Sequence, residues 1–159
     1  MLGEWSLVRE VPGYGSGTGV ARVFAIDAET ARYEESVRIA LEQGGILNGT
    51  QCYLYRRRRE APGQLDVLFC ETAEQFHALE FREEGGLWLA SARFLCGADE
   101  YDSEYVLEEK GWKVSHAVRG PRKDYRIETV YRRARVGPLL WRGRLRGWND
   151  AGGYFFSVR

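Results

Sequence analysis

The 159-residue chain is poor in the residues that staple or ligate small proteins. It has three cysteines, Cys52, Cys70 and Cys96, widely spaced and without a C-x-x-C pair. That pattern indicates neither a disulfide framework nor a thiolate zinc site, and it fits a reducing, cytoplasmic setting. The two histidines, His77 and His116, lie too far apart to suggest a metal site unless Asp99, Asp102 or Glu104 completes one, so no metal and no cofactor is expected. No apolar run is long enough to cross a bilayer, and Met1-Leu2-Gly3-Glu4-Trp5 has neither a basic nor an apolar targeting region. Net charge is absent as well, with 23 Lys+Arg against 23 Asp+Glu. A dedicated nucleic-acid binder would carry a clear basic excess, so that class is disfavoured. Disorder is disfavoured too, because 13% of the residues are aromatic and no net charge keeps the chain open.

The neutrality is assembled from opposed halves. Residues 1 to 110 hold 11 basic and 20 acidic side chains, 11 − 20 = −9, and residues 111 to 159 hold 12 and 3, 12 − 3 = +9. Either the basic end folds back on the acidic part or it meets an anionic partner. Folding back is the better reading, since neighbouring strands commonly carry complementary cross-strand charges, and it would set the Arg-rich end beside Glu4 and Glu10. Arginine outnumbers lysine 20 to 3, which suits stacking on aromatic faces and bidentate grip of carboxylates.

Period-two alternation runs through most of the chain, the mark of half-buried strands. Trp5 and Leu7 share one face of the first, and Tyr33, Glu35 and Val37 share one face of another. Gly13 to Gly19 reads as a glycine-rich loop at the barrel mouth, without the register of a phosphate cradle. Asn48-Gly49 reads as a hairpin turn and Glu60-Ala61-Pro62-Gly63 as the next. Thr72 to Phe81 is ambiguous, because Phe76 and Leu79 also have helical spacing. Nine or ten short strands with regular turn signals imply an all-β fold. We expect an antiparallel up-and-down barrel of about 8–10 strands, with a short helix allowed, spanning residues 1–159 as one domain. With about eight strands such a barrel has room for one small ligand.

Gly3-x-Trp5 with a late-strand arginine such as Arg133 resembles the signature of lipocalins and the wider calycin group. In that group the Trp closes one barrel end and the Arg packs over it, which assigns Trp5 and Arg133 a barrel-closing role by resemblance. A longer series is similar to a family of small bacterial and fungal proteins of unknown function, regarded as lipocalin-like. It comprises Gly3-Glu4-Trp5 with Arg9, Tyr33-Glu34-Glu35, Tyr53-Leu54-Tyr55-Arg56, Phe76-His77-Ala78-Leu79, Cys96-Gly97-Ala98-Asp99-Glu100-Tyr101, and Gly120-Pro121-Arg122-Lys123-Asp124-Tyr125 leading to Tyr131-Arg132-Arg133. The resemblance covers residues 3 to about 133 and implies a fold but no established reaction. It departs from the pattern at Phe94, where the family has a histidine two residues before the cysteine. Residues 136–159, with Trp141, Trp148 and Tyr154-Phe155-Phe156, extend beyond it and could add a strand.

Strand alternation places Trp112, Val114, His116 and Val118 on one face, and Tyr125, Ile127, Thr129, Tyr131 and Arg133 on one face of the next strand. Polar and aromatic groups among aliphatics are what a binding cavity needs. The candidate ligand-binding residues are Tyr33, Tyr53, His77, Tyr101, Tyr105, Lys123, Tyr125 and Arg133. Glu35 and His116 are candidate catalytic groups, because a carboxylate or imidazole in an apolar cavity can move one proton. The bland reading is that these groups form ion pairs and hydrogen bonds within a filled core. Three functions follow: binding of a small hydrophobic or aromatic molecule, cofactor-independent isomerase or cyclase chemistry in the same cavity, and nucleic-acid or protein binding through the Arg- and Trp-rich C-terminal tail. No membrane partner is expected, and a homodimer is allowed.

Overall fold

The computed structural model describes residues 1–134. Its strands are β1 (Gly3–Val11), β2 (Gly15–Ala25), β3 (Thr30–Leu41), β4 (Ile46–Arg57), β5 (Gln64–Phe69), β6 (Gln75–Glu80), β7 (Arg82–Glu84), β8 (Leu87–Cys96), β9 (Asp99–Glu108), β10 (Gly111–Gly120) and β11 (Lys123–Arg133). All pair antiparallel in one sheet, in the order β6-β5-β4-β3-β2-β1-β11-β10-β9-β8-β7. The fold is an all-β, nearly closed, up-and-down barrel. No helix occurs among the described residues, and none of them forms a segment long and apolar enough to cross a membrane as a helix. The C-terminal segment with Trp141 and Trp148, for which an added strand and a partner-binding role are expected, lies outside the described residues.

The barrel closes twice. First and last strands pair along β1 and β11, from Trp5↔Arg133 to Glu10↔Glu128. The two ends of the hydrogen-bonded sheet, β6 and β7, are consecutive in the chain and separated only by Phe81. One segment therefore pairs with β5 before the break and with β8 after it, and β6 lies against β8.

Alternation decides which residues turn inward. Trp5, Leu7 and Val11 on β1, Tyr33, Val37 and Ile39 on β3, and Trp112, Val114 and Val118 on β10 are buried. At one end Arg133 lies 5.0 Å from the Trp5 ring centroid, and Trp5 meets Trp112 edge-on at 6.4 Å. Trp112 stacks on its register partner Tyr131, with ring centroids 3.6 Å apart. That end is a floor of aromatic rings.

Four local expectations are corrected. The glycine-rich segment becomes strand from Gly15 onward, with Gly15, Gly17 and Gly19 on the inner face opposite Val11, Arg9 and Leu7. Missing side chains let β2 approach β3: a methyl group on Gly19 would run into the carbonyl oxygen of Ser36, and one on Gly17 into that of Arg38. Asn48 and Gly49 lie within β4, and the turn sits at Gly44 and Gly45, whose φ of 92° and 96° only glycine adopts without strain. The allowed helix is absent because Gln75–Glu80 is strand β6. A register shift after Val67 makes Phe76 an extra residue, and this bulge buries both Phe76 and its neighbour His77. Cys52 and Cys70 form a disulfide, one position beyond the Tyr53↔Phe69 pair of β4 and β5 and 5.7 Å apart at Cα. Strand pairing brings together two thiols that are far apart in sequence, and the cytoplasmic expectation loses the support it drew from unpaired cysteines. Cys96 remains a free, exposed thiol.

The close β2–β3 approach generates a stability test. Gly19→Ala must push β3 away or distort β2, an overpacking that costs about 1–3 kcal/mol. Gly49→Ala should cost much less, since its added methyl meets only the Val37 side chain, at 3.3 Å. Urea unfolding of both variants measures the contrast; equal losses would contradict it.

Candidate functional site

Two polar clusters occupy the barrel interior. The first joins β1, β3 and β11. Arg9 lies on the inner face of β1 and donates from Nη1 to Glu35 Oε1 at 2.7 Å, from Nη2 to Glu35 Oε2 at 2.8 Å, and from Nε to Thr129 Oγ1 at 2.8 Å. The Tyr33 hydroxyl donates a hydrogen bond to Glu35 Oε2 and lies 2.8 Å from the Tyr131 hydroxyl, which itself reaches Glu35 Oε2 at 3.3 Å. Glu35 thus accepts from a bidentate guanidinium and from phenols, and its side chain is 4% exposed. Burial works against the Arg9 cation, but Glu35, Tyr131 and Tyr33 more than offset it and hold the guanidinium charged. Burial and the Glu35 charge keep the Tyr33 and Tyr131 hydroxyls protonated, well above the ordinary phenol range. Such a pair is stable in a low-dielectric interior only when its geometry is good and its remaining hydrogen bonds are made, as here.

The second cluster joins β6, β9 and β10. His77 Nδ1 is 2.8 Å from the Tyr105 hydroxyl, and His116 Nδ1 is 2.7 Å from Ser103 Oγ. The imidazoles stack with centroids 6.2 Å apart. Burial, reinforced by His116, lowers the pKa of His77 to about 3; burial, reinforced by Arg9, lowers that of His116 to about 4. Both rings are therefore neutral near pH 7. His77 Nε2 is buried without a partner among the described groups. Burial also raises the Tyr105 hydroxyl far above its usual range, so Tyr105 meets His77 as a neutral phenol.

Several inward-facing residues are only half-buried although protein surrounds them: Arg9, Gly17, Gly19, Gln51, Phe94 and His116. They lie on the inner face between the aromatic floor and the far rim. Phe94 forms a ring cluster with Phe69 at 5.7 Å, Phe76 at 5.0 Å and Tyr101 at 6.3 Å. At the rim Tyr125 packs edge-on to Tyr14 at 5.6 Å, and Lys123 is paired with Asp99 at 2.6 Å and donates to the Tyr101 hydroxyl at 3.3 Å. The Asp99 hydrogen bond holds the Lys123 ammonium well above the usual lysine value.

The sequence-predicted residues divide accordingly. Tyr33 and Glu35 belong to the first cluster; His77, Tyr105 and His116 to the second; Tyr101, Lys123 and Tyr125 to the rim; Trp5 and Arg133 to the floor. Tyr53 stacks on Phe76 with parallel rings at 5.3 Å, between the clusters. Sequence reasoning missed Arg9 and Tyr131 as partners of Glu35, Thr129 as an acceptor for Arg9, and Ser103 as the partner of His116. Arg9 had a readable signal, because it stands on the same alternating face as Trp5 and Leu7. Among the described residues no three His, Cys, Asp or Glu side chains gather as a metal site.

A profile described as a family of unknown function (DUF6314) matches residues 1–133. The crystal structure of Rv2717c from M. tuberculosis superposes with a TM-score of 0.62 at 14% identity, covering 84% of this chain and 92% of that one. At that identity the likeness concerns the fold alone. No curated protein matches the chain.

The neutral histidines set a pH dependence. Unfolded histidine titrates near 6.5, so between about pH 6.5 and pH 4 the unfolded chain binds protons that the folded barrel does not, and stability rises with pH. Each histidine contributes a slope of about 1.4 kcal/mol per pH unit at its full extent. Urea unfolding at pH 5 and 6 should show this rise, and His77→Phe should remove roughly one histidine's share of it. An unchanged slope in the variant would contradict neutral burial of His77.

Proposed function

We propose, for a chain that belongs to the DUF6314 family of unknown function, that the barrel binds a small hydrophobic or aromatic molecule in its lumen. The observation that carries this reading is the set of half-buried inward-facing side chains, with Phe94 and His116 on one side and Gln51 and Arg9 on another. Apolar walls with a few oriented polar groups are the usual composition of a small-molecule site. The Phe69–Phe76–Phe94 cluster supplies the apolar wall, and His116, fixed by Ser103, supplies an orienting ring nitrogen. Tyr101, Lys123 and Tyr125 stand at the entrance, while Tyr33, Tyr53 and Tyr105 support the lining from behind. The Gly3-x-Trp5 start and the Arg133 contact over Trp5 support a lipocalin-like kinship for the barrel.

Ser103–His116 favours a second reading. A neutral imidazole whose Nδ1 is held at 2.7 Å could accept a proton from a confined substrate, as a cofactor-independent isomerase or cyclase requires. In that reading Glu35 positions Arg9 and the two tyrosines, because its oxygens are already occupied by donors.

Titration with 1-aminoanthracene, 1-anilinonaphthalene-8-sulfonate and cis-parinaric acid tests the binding reading, followed by the quenching of protein tryptophan fluorescence. Trp5 and Trp112 in the floor should report saturable binding of at least one probe, and His116→Trp should weaken it by filling the lumen. No saturable signal from any of the three would overturn the proposal.

A further inference from the structure

The lumen has two unlike walls. Around the ring β2 lies five strands from β8, and β4 lies five strands from β10, so these pairs face each other across the barrel. On one side Gly17, Gly19 and Gly49 turn toward the interior with no side chain and stay half-buried, leaving bare backbone. Across from them stand the half-buried rings of Phe94 on β8 and His116 on β10, and Phe94 is backed by Phe76 at 5.0 Å. Bare backbone opposite a wall of rings suits a guest that stacks on those rings, the arrangement that aromatic faces favour. Glycine is needed at 17 and 19 for the approach of β3, but not at 49, where an added methyl meets only Val37 Cγ1 at 3.3 Å. The openness at Gly49 is therefore not dictated by strand packing.

Charge narrows the occupant further. Arg9 and Glu35 reach the lumen as a mutually neutralising pair whose hydrogen bonds are directed at each other and at Thr129, Tyr33 and Tyr131. A charged guest would lose its hydration without gaining an unpaired counter-charge, a penalty that an uncharged guest avoids.

We infer that the slot between Gly49 and the Phe94–His116 wall selects flat, uncharged, conjugated molecules. This rests on the ligand-binding reading above and adds the chemical class to it.

Three probes separate the two claims: 1-aminoanthracene, which is flat and uncharged at neutral pH; anthracene-1-sulfonate, the same rings with a fixed negative charge; and dodecan-1-ol, uncharged but flexible. The expected result is that 1-aminoanthracene binds at least tenfold more tightly than the sulfonate, and that a tenfold excess of dodecan-1-ol does not displace it. Gly49→Val, which fills the bare wall, should weaken 1-aminoanthracene at least tenfold in a protein whose circular dichroism is unchanged. Should that variant not fold, Phe94→Leu removes the opposing ring at little cost in apolar volume and should weaken 1-aminoanthracene while leaving dodecan-1-ol unaffected. Equal or tighter binding of the sulfonate or the alcohol would overturn the inference and leave lumen binding standing. Binding by none of the probes here or in the broader titration would overturn both. Full-strength binding in folded Gly49→Val, or failing that in Phe94→Leu, would also overturn the inference.

Discussion

A charge pair sealed inside a barrel sets the terms for the rest of this structure. Arg9 on β1 and Glu35 on β3 are not neighbours in the sheet, since β2 runs between them, yet they meet in the interior at 2.7 and 2.8 Å. Thr129 and Tyr131 bring β11 into the same network, so it spans the seam where the first and last strands close the barrel. Burying two ions costs several kcal/mol each unless their partners are complete, and that demand fixes the surroundings. Gly17 stands opposite Arg9 with no side chain to crowd the guanidinium, and Tyr33 and Tyr131 must keep their protons to act as donors. Below the pair the stacked rings of Trp112 and Tyr131, with Trp5 edge-on to Trp112, form a floor. Beyond it the inner face carries the half-buried side chains of Gln51, Phe94 and His116.

Surface electrostatics play a different part. The acidic and basic portions of the chain do meet, but mainly across β9, β10 and β11: Arg119 with Asp102, Lys123 with Asp99, Arg126 with Glu104 and Arg132 with Glu108. Among the described residues no ion pair crosses the seam between β1 and β11, and the arginines beyond Arg133 lie outside them. Glu4 pairs with Arg22 on β2, and Glu10 stands opposite Glu128. Exposed pairs of this kind contribute about 0–1 kcal/mol each, so closure depends on the interior network and the aromatic floor rather than on the opposed charges of the two halves.

What the sequence could tell was set by the range over which each signal acts. Alternation is local, and it revealed the strands, the inner faces of β1, β3, β10 and β11, and the barrel class. Arg9 was legible by the same rule, as a cation on the apolar face of Trp5 and Leu7, but its partner was not, because only the register of three strands brings Glu35 to it. The same holds for Ser103 with His116 and for Cys52 with Cys70, each pair joined across neighbouring strands. Glycine misled at two places. Gly15 to Gly19 resembled a loop because its composition is that of turns, whereas its use is close strand approach. Asn48-Gly49 resembled a hairpin, but Gly44 and Gly45 make the turn instead. At Phe76 and His77 the bulge breaks alternation, which is why the segment could also be read as helical.

Arg9 and Glu35 act as one unit in holding the barrel together. A double-mutant cycle with Arg9→Met and Glu35→Gln, measured by urea unfolding at neutral pH, tests it directly. Each single change strands the other charge in the interior and should cost about 3–5 kcal/mol, while the double change removes both charges and should cost far less than the sum. The predicted result is a coupling of at least about 2 kcal/mol. Single losses that simply add, to within about 0.5 kcal/mol, would contradict it.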